Sequence, residues 1–246
     1  MLLTEAAGAF VTWVNAGYII TARGTVVVDA LASLDDAHQL RQEIRDNGGA
    51  DPVYVVNTHF HPDHVTGNQA FEAPVIAHQA CTAQGANPWF VAVHPEITFS
   101  HGLTLQLGGT TIHIEHLGGH TACSSTVYLP DHQLCYSGDL LFVGRYPFVK
   151  DASLQDWVRA LQRLAARPVR IMVPGHGPVL EGSHILKEIQ ARIDFFQQLL
   201  TAARRARAQG MPLDAAANSG LFPELGDLGR GERWLQCVER AWTETQ

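Results

Sequence analysis

The run "NTHFHPDHVTGN", residues 57–68, places His59, His61, Asp63 and His64 within six consecutive positions. Imidazoles and carboxylates are costly to bury unpaired, and packing gives no reason for that density. A metal does. Residues two apart on a strand point the same way, so His59 and His61 can reach one ion. Pro62 ends the strand, and Asp63 and His64 then enter the next loop or helix start, turned toward a second ion. Three more candidates follow at strand ends beside glycine: His120 in "LGGHT", Asp139 in "YSGDLLF" and His176 in "VPGHGP". Glycine lets the backbone turn sharply and expose a side chain at a cleft. Five imidazoles and two carboxylates are N and O donors suited to zinc, and also to iron or manganese. The other eight of the 13 histidines, His38, His78, His94, His101, His113, His116, His132 and His184, read as surface or satisfied core groups.

These side chains need elements to hold them. "AFVTWV", "YIITA" and "TVVVDA" are short β-branched runs separated by turns, and they predict strands. Ser33 opens a helix with Asp36 completing a capping pattern; Leu34, Ala37, Leu40 and Ile44 form its apolar face. "VYVVNTH" is a buried strand running into the histidine motif. A short helix is expected from Asp63 to Phe71, a strand at "APVIAH" and a weak helix from Cys81 to Ala86. Then come strands at "ITFS", "LTLQLGG", "TIHIEHLG", "SSTVYLP" and "QLCYSGD", paired through hairpins. Ser153 caps a helix with Leu154, Trp157, Val158, Leu161 and Leu164 on one face. "RIMVPGH" is another strand. A long helix spans about Ser183 to Ala208, and Trp234, Val238 and Trp242 mark a last one. The order predicts two packed sheets with helices outside. No linker interrupts the chain, which reads as one domain over 1–246 with a C-terminal helical segment at about 183–246.

Composition narrows the function. With 46% hydrophobic and 17% charged residues, the 246-residue chain can bury a sizeable core. Its formal charge of −7, without a basic stripe, argues against nucleic acid as main partner. The four cysteines form no C-x-x-C pair and read as free thiols of a reducing compartment. The N-terminal run lacks a basic region and is broken by Glu5, Thr12 and Asn15, so neither a signal peptide nor a membrane span is expected. A cytoplasmic enzyme acting on a small molecule, with no membrane partner, is the expectation.

"THFHPDH", "GGHT", "SGDLLF" and "PGHGP", in that order, resemble the motifs of the metallo-β-lactamase superfamily. "NAGYIITARGTVVVDA" resembles its opening hairpin. The resemblance implies an α/β fold of four layers, an αββα sandwich of two mixed sheets with outer helices. It also implies a ligand division: His59, His61 and His120 on one ion, Asp63, His64 and His176 on a second, and Asp139 bridging both. The bridging Asp resembles the hydrolase branch near glyoxalase II and the quinoprotein relay system metallohydrolases, rather than the true β-lactamases, many of which have Cys or Ser there. The long insertions and basic surface of the nuclease branch are absent. "HTACSS" departs from the common H-T-x-G, with Cys123 in place of Gly, and reads as a buried inert thiol. Asp29, ending "VVVDA", either orients the ligand loop or caps a turn.

Two ions sharing a water lower its pKa, and the hydroxide can attack a carbonyl, with Asp63 orienting it or moving a proton. Thioesters, esters, lactones and amides all fit. A single-iron oxygenase of the persulfide dioxygenase type and a β-lactam hydrolase are the alternatives. Phe142, Arg145, Tyr146 and Phe148, just after Asp139, are candidate substrate contacts, with Arg145 suited to a carboxylate or phosphate. Trp89 and Phe90 are another candidate wall.

Overall fold

The computed structural model describes residues 1–84 and 94–246. The first half contains β1 (Ala7–Val11), β2 (Asn15–Thr21), β3 (Gly24–Val28), α1 (Leu34–Asp46), β4 (Pro52–Val56), α2 (Pro62–Val65), β5 (Val75–His78) and β6 (Ile97–Phe99). Next come β7 (Gly102–Leu107), β8 (Thr110–His116), β9 (Ser125–Leu129), β10 (Leu134–Phe142), α3 (Leu154–Ala165), β11 (Ile171–His176) and β12 (Leu180–Glu181). The chain closes with α4 (Ser183–Ala208), α5 (Leu213–Asn218) and α6 (Glu232–Glu244). Strands β1 to β6 form one sheet in chain order, antiparallel up to β3 and parallel beyond it. Strands β7 to β12 form the second, in which only β10 and β11 run parallel.

Alternation along the strands sorts side chains into three apolar clusters, one per layer boundary. Val26 and Val28 of β3, Val56 of β4, Leu134 and Tyr136 of β10 and Ile171 and Val173 of β11 fill the space between the sheets. Their strand neighbours Val27 and Val55 face the other way, against Ala37, Leu40 and Ile44 of α1. Cys135 and Met172 point outward from the second sheet into a cluster with Trp157 and Leu161 of α3, Phe196 of α4 and Val238 of α6. Each fully buried Val or Leu contributes roughly 1.5–3 kcal/mol. The order helix, sheet, sheet, helix is the four-layer sandwich expected from the sequence.

Several boundaries differ from expectation. Ser33 does cap α1, accepting a hydrogen bond from the Asp36 amide at 3.1 Å. Leu34, however, is 44% exposed and lies off the buried face. The expected helix from Asp63 to Phe71 is a four-residue α2 followed by a 3-10 turn at Thr66–Phe71. The weak helix at Cys81 is a 3-10 turn over Gln79–Gln84. Strand β12 and helix α5 carry too little periodicity to be read from sequence. Trp89 and Phe90 lie outside the described residues. Among the described residues no helix is long and apolar enough to cross a membrane.

Candidate metal centre

The seven residues singled out by type and spacing converge at one edge of the sandwich. Strand β4 ends at Val56, earlier than expected, so His59 and His61 stand on an extended loop rather than on the strand. His61 keeps extended angles at the N-cap of α2, which carries Asp63 and His64. His120 lies between β8 and β9, Asp139 within β10, and His176 ends β11. Two glycines make the approach possible. Gly138 has φ +50°, and a Cβ there would stand 2.5 Å from the Thr58 hydroxyl. A Cβ on Gly175 would stand 1.9 Å from Asp139 Oδ1.

The two oxygens of Asp139 face two different groups. Oδ2 is 3.6 Å from His59 Nε2 and 3.3 Å from His120 Nε2. His61 Nδ1 completes that group, 3.0 Å from His59 Nε2 and 2.9 Å from His120 Nε2. Oδ1 is 3.0 Å from His64 Nε2 and 3.4 Å from His176 Nε2. Asp63 Oδ2 joins this second group, 3.3 Å from His176 and 3.8 Å from His64.

Every imidazole turns its other nitrogen to an acceptor. His61 donates to Asp151 at 3.0 Å, His64 to Asp29 at 2.8 Å, His120 to the Phe148 carbonyl at 3.1 Å and His176 to the Trp13 carbonyl at 2.6 Å. The Thr58 hydroxyl already donates to Asp29, so at 3.1 Å from His59 Nδ1 it acts as acceptor. With the outward nitrogens committed as donors, five inward nitrogens are left to present lone pairs. Three of these meet at about 3 Å, a contact that repels unless a cation or proton sits among them. The separations match the roughly 3.4 Å between ligand atoms around a tetrahedral ion with 2.0–2.2 Å bonds. His64 Nε2 and Asp139 Oδ1 are buried without a hydrogen-bond partner among the described residues. The donor set therefore fits divalent metal ions.

The electrostatics of the two groups differ. Burial holds His59 well below the usual imidazole range and brings His120 to about 3, the pull of Asp139 being too weak to reverse it. Burial also opposes charge on His64, but Asp139, Asp29 and Asp63 outweigh it and hold that ring well above the usual range. His176 reaches about 9 against burial, through Asp139 and a hydrogen bond to Asp63. For Asp139, burial is outweighed by His64 and His176, and its carboxyl lies well below the ordinary value.

Asp29 orients the ligand loop. At φ +59°, its Oδ1 accepts from the Thr58 amide and its Oδ2 from the Thr58 hydroxyl, both at 2.7 Å, as well as from His64. Cys123 is fully buried beside the first sheet, as expected, with its sulfur 3.5 Å from the Thr121 hydroxyl. His78 and His116 stack at 3.8 Å and donate to the carbonyls of Ser100 and Ala122, which satisfies them away from the site.

His61, Asp63, Asp139 and His176 open onto a cavity of about 760 Å³, which Phe142, Arg145, Tyr146 and Phe148 also line. Phe142 stacks on His176 at 4.9 Å, and Phe148 lies 5.3 Å from His61. Tyr146 contributes its ring, while its hydroxyl bridges the Leu225 amide and the Gly229 carbonyl. Sequence reasoning missed Asp151, Trp13, Leu228 and Arg233 at this site. None sits in a motif, and only the fold brings them there.

Residues 12–176 match the family model of the metallo-beta-lactamase superfamily. The chain belongs to the metallo-beta-lactamase superfamily. A linear primary-alkylsulfatase from a Pseudomonas strain is 22% identical over 68% of the chain, which spans only 42% of that protein. A hydroxyacylglutathione hydrolase from Methylococcus capsulatus is 28% identical over 49% of the chain and 46% of its own length. The chain thus spans less than half of each of these two relatives. The crystal structure of a metallo-beta-lactamase family protein from Thermus thermophilus superposes with a TM-score of 0.74 at 19% identity, covering 99% of this chain and 93% of that one. The relatives named here include hydrolases, and the His and Asp side chains that could hold metal ions lie within the matched residues.

Proposed function

We propose that the protein is a dinuclear hydrolase that cleaves a carbonyl substrate, a thioester, ester, lactone or amide. The observation that carries this reading is the division of the Asp139 carboxylate, one oxygen toward His59 and His120 and the other toward His64 and His176. His59, His61 and His120 would hold one ion, Asp63, His64 and His176 the other, and Asp139 both. Bound divalent ions, zinc first among them, supply a water of lowered pKa and polarise the carbonyl. The protein's own residues do the rest. Asp63 is a fifth exposed and lines the cavity, so its carboxylate can orient the water and accept its proton. Phe142 and Phe148 cover the ligand rings and exclude bulk water from the reacting centre. Asp29 and Asp151 fix ring orientation.

Purified protein assayed against thioesters, esters, lactones, β-lactams and phosphoesters, with metal content measured alongside, tests the proposal. Two zinc ions per chain with turnover of a carbonyl substrate support it. One iron per chain with oxygen consumption, or a full metal complement in His61→Ala with full activity, overturns it.

A further inference from the structure

The cavity wall carries two arginines with no carboxylate partner among the described residues, Arg145 and Arg233. Several surface arginines are ion-paired, Arg41 and Arg45 with Asp51, Arg163 and Arg167 with Glu115, Arg230 with Glu224, and of those that are not, Arg145 and Arg233 are the two that line this cavity. The two stand on opposite sides of the centre. The Arg233 guanidinium lies over the Phe148 ring at 4.9 Å, and that ring is 5.3 Å from His61. Stacking occupies the face of a guanidinium, and although Arg233 Nη1 donates to Gln236 Oε1 at 3.0 Å, the remaining N–H groups of its edge can bind a planar or tetrahedral oxyanion. Arg145 reaches the Trp13 carbonyl at 3.5 Å, the same carbonyl that accepts from His176. Between them the wall is apolar: Phe142 and Phe148 inside, Trp13 (55% exposed) and Leu228 (44% exposed) at the mouth. A protein of formal charge −7 repels anions at long range, and the two arginines at this cavity offset that repulsion and the Asp63 and Asp139 carboxylates beside them.

We propose that the substrate is an anionic amphiphile, an apolar acyl compound bearing an oxyanion group a few bonds from the scissile carbonyl, and that Arg233 and Arg145 select it by that charge. This rests on the hydrolase reading above and names its substrate class. One phenyl ring separates Arg233 from the ligand His61, so the charged group belongs near the reacting carbonyl rather than at the end of a long chain. Carboxylate, phosphate and sulfate share the required chemistry.

Matched substrates test it: 4-nitrophenyl pentanoate, the 4-nitrophenyl monoester of glutarate, and a phosphonate-ended ester of the same length. The metal-loaded protein should favour the charged esters by about tenfold or more in kcat/KM at low salt, the scale of a charge-assisted hydrogen bond. Arg233→Gln should remove most of that preference through KM, Arg145→Gln part of it, and Arg233→Lys should keep some. Arg204→Gln, on the exposed side of α4, should leave the ratio unmoved. Comparing the carboxylate and phosphonate esters separates the two oxyanion types. In parallel, binding of 5-phenylpentanoate and its neutral amide is measured by calorimetry, and the acid should bind more tightly in an Arg233-dependent way. Equal turnover of neutral and charged esters, with no effect of Arg233→Gln on the ratio, overturns the inference while the hydrolase reading stands. Arg233-dependent binding of the acid with no ester, thioester, lactone or amide cleaved overturns the hydrolase reading instead.

Discussion

The two groups of ligands on either side of Asp139 are built on opposite electrostatic plans. One side is three imidazoles, with His59 and His120 kept neutral by burial. The other places His64 and His176 among Asp29, Asp63 and Asp139, whose charges raise both rings above the ordinary imidazole value. His59 and His120 are thus ready for a cation, whereas on the carboxylate-rich side an incoming cation competes with protons. That contrast follows from where the carboxylates sit, and substitutions can break it one side at a time.

The largest effect is expected at the shared residue. Asp139→Ala removes the one charge both sides use, and should lower hydrolysis on the order of a hundredfold or more, as losing an electrostatic catalytic group does. The fold and roughly one metal per chain should remain, because three imidazoles are left on the first side. Metal analysis and single-substrate kinetics check this; two metals and wild-type turnover would return Asp139 to a structural role.

Asp29→Asn and Asp151→Asn should separate the sides. Asparagine tolerates the left-handed backbone at position 29, so strain does not confuse the result. Asp29→Asn removes the acceptor of His64 and should weaken the carboxylate-rich side by about 10–100-fold in metal affinity. Asp151→Asn should act on the imidazole side through His61, by the lower end of about the same range, since Asp151 is more than a quarter exposed. Competition with a chelating dye resolves the two affinities. The same side weakening in both variants would erase the distinction. The smallest effect is expected at Cys123, where Ala should cost about 1 kcal/mol of stability and leave metal content alone, as a small cavity in a packed cluster does.

What the sequence made legible at this centre was residue type. Histidines and aspartates beside glycine are visible because glycine and buried polar groups are rare choices with few physical reasons, although Asp139 lies within β10 and His120 in the loop after β8 rather than at strand ends. The partners that set the contrast were less visible. Asp29 is half legible, ending a β-branched strand in "VVVDA", but its three hydrogen bonds depend on a positive φ that no neighbour announces. The Trp13 and Phe148 carbonyls carry no side-chain signal at all. Arg233 reaches the cavity only because α6 folds back over the loop after Asp139. Leu34 fits the helical period of α1, but it lies in the first turn, where the face turns away from the sheet. Within the fold, strand alternation predicted the layers well, and the short β12 and α5 were lost because two to six residues give no period.

pH adds a second contrast between the sides. His176 is raised from its ordinary value to about 9, so its charge stabilises the metal-free fold below about pH 6.5, and that contribution is lost as pH rises through 9. Asp139 and Asp63 lie below the ordinary carboxylate value, so their contribution holds above it and is lost as pH falls. Metal affinity on the carboxylate-rich side should therefore climb between pH 6 and 9 as protons leave His176.

Titration of metal-free protein with zinc, by calorimetry at pH 7 in two buffers of different ionisation enthalpy, counts both ions and the protons each one displaces. The expected result is two ions per chain, the one on the His64 and His176 side displacing more protons than the other. A single ion per chain, or two ions with equal proton release, would contradict a centre in which Asp139 joins an imidazole half to a half rich in carboxylates.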